Sequence, residues 1–126
     1  SELPGARWQT VDVGNPHLVV LVEDPDAVAL DAVGPRLESA FPDGVNVHVV
    51  AVRDGSLVLR VWERGAGITQ ACGSGATAAA SVAHDWGLTG TTVEVLMPGG
   101  SATVELAGGH AFLTGPTEFV ADVVVP

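Results

Sequence analysis

A run of small residues constrains the fold of this chain more than any other feature. The eight positions from Ala76 to Ala83 hold only alanine, threonine, serine and valine. The run predicts a helix over Gly73–Trp86, with Gly87 as its C-terminal stop. Because such a helix has no charged face, it is expected to be buried, and its small side chains allow the surrounding backbone to approach closely.

The rest of the chain has the pattern of strands and turns, because short apolar, β-branched runs alternate with Gly, Pro and Asp. Asp54-Gly55 and Gly108-Gly109 are hairpin signals. A further helix is predicted over Asp26–Phe41, and Gly34-Pro35 is expected to break or restart it. Strands are predicted near Arg7–Val13, His17–Val22, Val45–Val52, Ser56–Glu63, Thr91–Met97, Ala102–Leu106, His110–Thr114 and Glu118–Val125.

These elements predict a single α+β domain over residues 1–126. In it, a mixed, barrel-like sheet of about eight strands wraps around a buried central helix. The chain opens at Ser1 rather than Met, which suggests a piece of something longer.

Charge and composition exclude several classes of function. Five Lys+Arg against fifteen Asp+Glu give a formal net charge of -10, which disfavours nucleic acid and anionic membranes as partners. The longest apolar run, Leu18–Val22, is far too short to span a bilayer, and no leader is visible, so a cytoplasmic protein is expected. All five basic residues are arginines, so the chain has no lysine for a pyridoxal phosphate Schiff base. No cofactor is expected.

The only cysteine, Cys72, precedes the small-residue helix in a glycine-rich segment. The positive end of a helix dipole favours a thiolate there, and the N–H groups of the first turn can bind a carboxylate or phosphate. The alternative is a buried structural cysteine. Gly73–Ala78 also fits the G-x-G-x-x-A dinucleotide pattern, but weakly, since no strand ends directly before it.

Other polar residues are weaker candidates. The turn Gly14-Asn15-Pro16-His17 presents an imidazole and an amide, and a structural role for His17 is about as plausible as a functional one. Asn46 fits an ordinary strand start, and Glu63-Arg64 fits an ordinary surface ion pair.

The remaining histidines have no companions in the sequence and are interpreted as structural or solvated: His48, His84 and His110. No metal-ligand spacing occurs, so no metal is predicted.

Four segments occur in an order that is characteristic of one family. They are Gly14-Asn15-Pro16-His17, Phe41–Asn46, Glu63–Gly75 and Leu113-Thr114-Gly115-Pro116. Through them, essentially the whole chain resembles the C-terminal half of the diaminopimelate epimerase family. Related cofactor-independent racemases share the Cys-Gly-x-Gly turn, but Glu63-Arg64-Gly65 before it favours the epimerase. The family more often has Thr where Ser74 stands.

The resemblance implies an isomerase that interconverts LL- and meso-2,6-diaminopimelate, on the route to lysine and peptidoglycan, with two cysteines and no cofactor. It implies two similar domains with the substrate between them, each supplying one cysteine. Cys72 would be one of the pair, Glu63 would manage its proton and contact substrate, and His17 would serve the partner cysteine. The implied substrate-binding residues are Asn15, Asn46, Glu63, Arg64, Gly73 and Ser74.

The family pattern needs a second cysteine and an N-terminal domain, and neither is in these residues. The chain is therefore expected to need that domain as a partner and to be inactive alone. Its last strand is expected to leave an open edge, which favours self-association such as a homodimer. Three alternatives stay open: a non-catalytic amino-acid-binding module, a cysteine hydrolase using Cys72 and His17, and a related racemase acting on another amino acid.

Overall fold

The computed structural model describes residues 7–13, 16–42, 44–63, 67–69, 73–98, 100–114 and 119–124. Their helices are α1 (Leu30–Ser39) and α2 (Gly73–Asp85), with a 3-10 turn over Pro25–Ala27. Their strands are β1 (Trp8–Asp12), β2 (Pro16–Leu21), β3 (Asn46–Arg53), β4 (Ser56–Glu63), β5 (Gly67–Thr69), β6 (Thr92–Met97), β7 (Gly100–Ala107), β8 (His110–Thr114) and β9 (Phe119–Val124).

The described strands form one mixed sheet in the order β1-β2-β3-β4-β6-β7-β8-β9, and β5 pairs with β4. Most neighbouring pairs are antiparallel, but β2–β3 and β4–β6 are parallel. Each parallel pair is joined by a connection that contains a helix, α1 for the first and α2 for the second. The predicted edge is confirmed, since β9 ends the sheet on one side and β1 on the other.

Helix α2 is the centre of the fold, as the small-residue run predicts. It packs against β1, β2, β3, β4, β6, β7, β8 and β9. Its side chains from Ala76 to Ala83 are all buried, so strands lie against it on every side. Gly87 ends it in the left-handed conformation (φ 76°). Leu88 N–H donates to the carbonyl of Ala83 at 2.9 Å, which is the Schellman geometry.

The predicted helix over Asp26–Phe41 is wrong in its start and in its break. The 3-10 turn ends at Ala27, Val28 is extended, and α1 begins at Leu30. Helix α1 then continues through Pro35 without a break. Proline removes one N–H, whose acceptor would be the carbonyl of Asp31. Both residues are exposed, so water can reach that side of the helix.

The buried side of α1 covers the face of the sheet opposite to α2. Leu30 of α1 joins the buried valines of β2 and β3 in one cluster, and Leu37 and Phe41 pack against it. Gly34 contacts Trp62 of β4 so closely that a Cβ on Gly34 would lie 2.8 Å from the Cβ of Trp62. The sheet is thus covered by one helix on each face where β2, β3 and β4 run side by side.

The two hairpin predictions are confirmed. Asp54 and Gly55 both have positive φ (53° and 81°) between β3 and β4, and Gly108 and Gly109 (57° and 81°) do the same between β7 and β8. Every predicted strand is found with ends that differ by one or two residues at most, and β5 was not predicted. No helix of the described residues is long and apolar enough to span a membrane.

Candidate active site

Three of the candidate residues come together at one end of the sheet. His17 at the start of β2 pairs with Asn46, which opens β3. Val47 pairs with Trp62, so the next positions along are Asn46 and Glu63, the last residue of β4. Residues two apart on a strand point to the same face of a sheet. His17, Asn46 and Glu63 all lie on the face of the sheet that α2 covers.

Asn46 ties the beginnings of two strands together. Its side chain is 4% exposed, and its Nδ2 donates to the carbonyl oxygen of Pro16 at 3.2 Å. Asn46 therefore holds the start of β2 in place.

His17 is hydrogen-bonded to a second histidine. Its Nδ1 lies 2.6 Å from Nε2 of His48, which is two residues along β3 from Asn46. The ring centroids are 4.8 Å apart with the planes tilted by 32°. Both side chains have 0% exposure. The interpretation of His48 as a residue without companions is wrong, because strand register brings it to His17.

The first turn of α2 lies directly on His48. A Cβ on Gly75 would lie 2.8 Å from Nδ1 of His48 and closer still to Cε1. Nδ1 is buried and has no hydrogen-bond partner among the described residues. His48 therefore stands between His17 on one side and the beginning of α2 on the other.

Burial keeps both imidazoles neutral. Desolvation lowers the pKa of His17 from 6.5 to about 4, against a smaller opposite effect of the nearby Asp12 carboxylate. Desolvation, with the neighbouring His17 as a second cause, lowers the pKa of His48 from 6.5 to about 3. At neutral pH the pair consists of two neutral rings, so one nitrogen of the contact donates and the other accepts.

The other two histidines lie away from this pair. His84, exposed at the end of α2, places Nδ1 3.2 Å from the carbonyl oxygen of Thr89. His110 of β8 stacks on Phe112. Both have neighbours that the sequence did not indicate.

A cleft of about 620 Å³ opens beside His17, a volume typical of small-ligand sites. Its polar lining comes from Gln9, Thr10, Asp12, His17, Ser81 and Asp85. His17 thus lines a space that a small molecule can enter, although the ring itself is covered.

Gly73 and Ser74 are the first residues of α2. Their backbone amides belong to the turn that carries the positive end of the helix dipole, where anions commonly bind. Ser74 also accepts a 2.8 Å hydrogen bond from the Thr77 hydroxyl at its carbonyl oxygen. Cys72, Asn15 and Arg64, the other predicted site residues, lie outside the described residues.

A family model described as diaminopimelate epimerase matches residues 9–120. Its match spans every described site residue, from His17 to Ser74. The chain belongs to the diaminopimelate epimerase family.

Curated relatives agree with this assignment. A diaminopimelate epimerase from Erythrobacter litoralis is 49% identical over 110 residues, which are 84% of this chain and 41% of the relative. One from Bacteroides thetaiotaomicron is 47% identical over 117 residues, which are 89% of this chain and 44% of the relative. The chain thus spans less than half the length of the epimerases that it matches.

Solved structures with the same fold are more distant in sequence. A phenazine biosynthesis protein of the PhzF family from Enterococcus faecalis superposes with a TM-score of 0.69 at 18% identity, over 86% of this chain and 43% of that one. A PhzC/PhzF protein from Clostridium difficile gives a TM-score of 0.70, also at 18% identity. This likeness concerns the fold alone, a mixed, curled sheet around a central helix.

The sequence contained a signal for His48 that its interpretation overlooked. Asn46 and His48 alternate with valines along β3, so both point to the face opposite Val47 and Val49. Two polar side chains in succession on the α2 side of a buried strand indicate a shared polar site. Only the parallel register with β2 shows that His17 completes it.

Proposed function

We propose that this chain is the C-terminal half of a two-domain diaminopimelate epimerase that interconverts LL- and meso-2,6-diaminopimelate without a cofactor. The identity of 47–49% with curated epimerases over most of the chain carries the proposal. The substrate would lie between this half and an N-terminal domain. The coverage of 41–44% of those relatives leaves room for such a domain.

The proposed reaction is an inversion at one α-carbon by two cysteine side chains, one present as a thiolate and the other as a thiol. One base removes the α-proton from one face, and one acid returns a proton to the opposite face. Cys72 would be one of these groups, and a cysteine of the N-terminal domain would be the other. The two exchange roles when the reaction runs in the other direction, so a single pair serves both isomers.

The start of α2 supports the role of Cys72, because Cys72 directly precedes Gly73 in the sequence. The helix dipole would favour its thiolate form. Backbone amides of Gly73 and Ser74, with the Ser74 hydroxyl, would hold the substrate α-carboxylate. That contact would also offset the negative charge that builds up when the α-proton leaves.

The grouping of His17, Asn46 and Glu63 at one end of the sheet supports the rest of the site. Glu63 would hydrogen-bond Cys72 and manage its proton, while contacting the substrate. His17, neutral because burial lowers its pKa to about 4, would serve the cysteine of the other domain. Asn15, Asn46 and Arg64 would fix the amino and carboxylate groups of the substrate.

The decisive experiment measures exchange of the substrate α-proton in D₂O. It uses the full-length protein that contains this chain, as wild type, as Cys72→Ala and as Glu94→Gln, an exposed control on β6. We expect Cys72→Ala to lose turnover and Glu94→Gln to keep it. Exchange at the wild-type rate in Cys72→Ala would overturn the proposal and leave a binding module or another chemistry.

A second test concerns the partner domain. The coding DNA upstream of Ser1 is expected to continue in frame for roughly one domain length, with a second cysteine. A start codon at or near Ser1 would mean a standalone domain with one thiol, whose catalysis requires a partner chain, and would favour the binding module. The assay is then repeated with this chain mixed with the separately produced N-terminal half, because the chain alone is expected to be inactive.

A further inference from the structure

We propose that His48 is a positioning residue of the site: its Nε2–H donates to Nδ1 of His17 and thereby holds the only proton of the His17 ring on Nε2. The inference deepens the proposed function, on which the catalytic meaning of His17 rests. It assigns His17 as a hydrogen-bond donor towards the reacting groups, and not as a base with a vacant nitrogen.

The hydrogen-bond inventory of the two rings favours His48 as the donor. The 2.6 Å contact between His17 Nδ1 and His48 Nε2 allows two arrangements of neutral rings. If His17 donated, the proton of His48 would have to sit on its Nδ1, which is buried and has no partner among the described residues. If His48 donates, the same Nδ1 carries only a lone pair. Buried N–H groups without an acceptor are rarer and more costly than under-satisfied acceptors.

The start of α2 lies against the His48 ring itself. The Cβ position of Gly75 is 2.8 Å from Nδ1, 3.1 Å from Nε2 and closer still to Cε1. This contact is the same for both tautomers, so the choice between them rests on the hydrogen-bond inventory. The contact leaves the ring little room to turn, and Nε2 therefore stays directed at His17.

The consequence for His17 is a fixed role for each nitrogen. Its Nδ1 is occupied as an acceptor, so protonation there requires the bond from His48 to break. This adds to the desolvation that keeps the ring neutral. The other titratable groups near His17 are Asp12 beside β2 and Asp85 of α2, which line the same cleft, and Glu63 at the end of β4.

The direct test is the ¹⁵N NMR spectrum of histidine-labelled full-length protein at pH 7.5, since protonated and bare ring nitrogens differ widely in chemical shift. The signals are assigned by their disappearance in His17→Gln and His48→Gln. We expect a protonated Nε2 and a bare Nδ1 in both rings. A protonated Nδ1 on His17 would overturn the proposal.

A pair of variants separates positioning from mere packing. His48→Gln keeps an amide donor near the place of Nε2, whereas His48→Leu fills the space without a donor. His84→Gln, on the exposed end of α2, is the control and is expected to behave as wild type. In His48→Leu the pKa of His17 is expected to rise, because protonation of Nδ1 no longer breaks a bond.

The kinetic expectation follows from the same contact. In His48→Leu, kcat is expected to fall about tenfold or more with KM within about twofold, the size typical of losing a group that orients another. His48→Gln is expected to recover most of kcat. Equal pKa values of His17 in His48→Leu and His48→Gln would overturn the proposal. If His48→Leu does not fold, the wild-type spectrum decides alone.

The spectra do not depend on turnover, so the two proposals fail separately. Full α-proton exchange in His17→Gln would remove the proposed function of His17 and leave the tautomer assignment standing. A protonated Nδ1 on His17 in an active enzyme would overturn the tautomer assignment and leave the proposed function standing.

Discussion

Gly75 of α2 lies against the imidazole of His48, and nothing larger than glycine fits between them. The Cβ position is 2.8 Å from Nδ1 and closer to Cε1, a separation that real Cβ atoms do not adopt. Because His48 is fully buried and bonded to His17, its ring cannot move aside freely. This contact therefore fixes the start of α2 relative to the end of the sheet.

Gly75→Ala is expected to destabilise the protein by about 1–3 kcal/mol, the usual cost of overpacking a buried site. Alanine has the higher helix propensity, which stabilises the variant by about 1 kcal/mol. This gain is smaller than most of the overpacking cost, so a net loss of stability is expected. Urea unfolding of the two proteins measures the difference. Gly90→Ala is the matched control, since nothing lies within 4 Å of its Cβ position. Equal stability of Gly75→Ala and wild type would contradict the packing.

Gly34→Ala is expected to cost a similar amount, because its Cβ would overlap the side chain of Trp62. Trp62 is anchored by a 3.2 Å hydrogen bond from Nε1 to Glu38 of α1, so it does not yield easily. In a Trp62→Ala background the same substitution is expected to cost less, because of the overlapping atoms only the Cβ at position 62 remains. A double-mutant cycle measures this, and additive effects would show that the two residues are not coupled.

Stability is expected to fall when the pH falls below about 6.5. The pKa values of His17 and His48 are about 4 and about 3 in the folded protein, against about 6.5 unfolded. As the pH falls, the unfolded chain binds protons first. The stabilisation is therefore complete above pH 6.5 and is lost towards pH 4 for His17 and towards pH 3 for His48.

The slope of the unfolding free energy against pH approaches about 1.4 kcal/mol per pH unit for each histidine. Unfolding free energies at pH 7.5, 6.5 and 5.5 measure it before most carboxylates titrate. His48→Gln is expected to reduce the slope by about half, and His84→Gln to leave it unchanged. A flat profile in the wild type would show that the two rings are not held neutral.

Glu63→Gln is expected to lower kcat about 10²-fold or more while KM changes little, because the amide keeps the shape but cannot exchange a proton. Exchange of the α-proton in D₂O measures the effect in the full-length protein. Glu94→Gln removes an exposed carboxylate of β6 and is the control. Similar activity of the two variants would leave Glu63 without a role in proton transfer.

The elements whose signals are local were predictable from sequence. Asp54-Gly55 and Gly108-Gly109 adopt positive φ because their own chemistry permits it, and Gly87 ends α2 for the same reason. The burial of α2 was predictable because a helix with only small side chains has no face for water. Its placement inside a curled, mixed sheet follows from that composition together with the many short strands.

Elements that depend on distant contacts were not predictable in this way. Helix α1 continues through Pro35 because its packing against the sheet outweighs one lost hydrogen bond. The three-residue strand β5 exists only through its pairing with β4, and no propensity indicates so short an element.

The residues of the candidate site were likewise predictable from sequence only in part. Sequence alone, through the family resemblance and the residue types, indicated His17, Asn46, Glu63 and the start of α2. Only the tertiary structure brought His48 to His17, because the parallel register of β2 and β3 sets which side chains meet across 31 positions of chain. Local patterns determine which element a residue enters, and strand register decides which residue it touches.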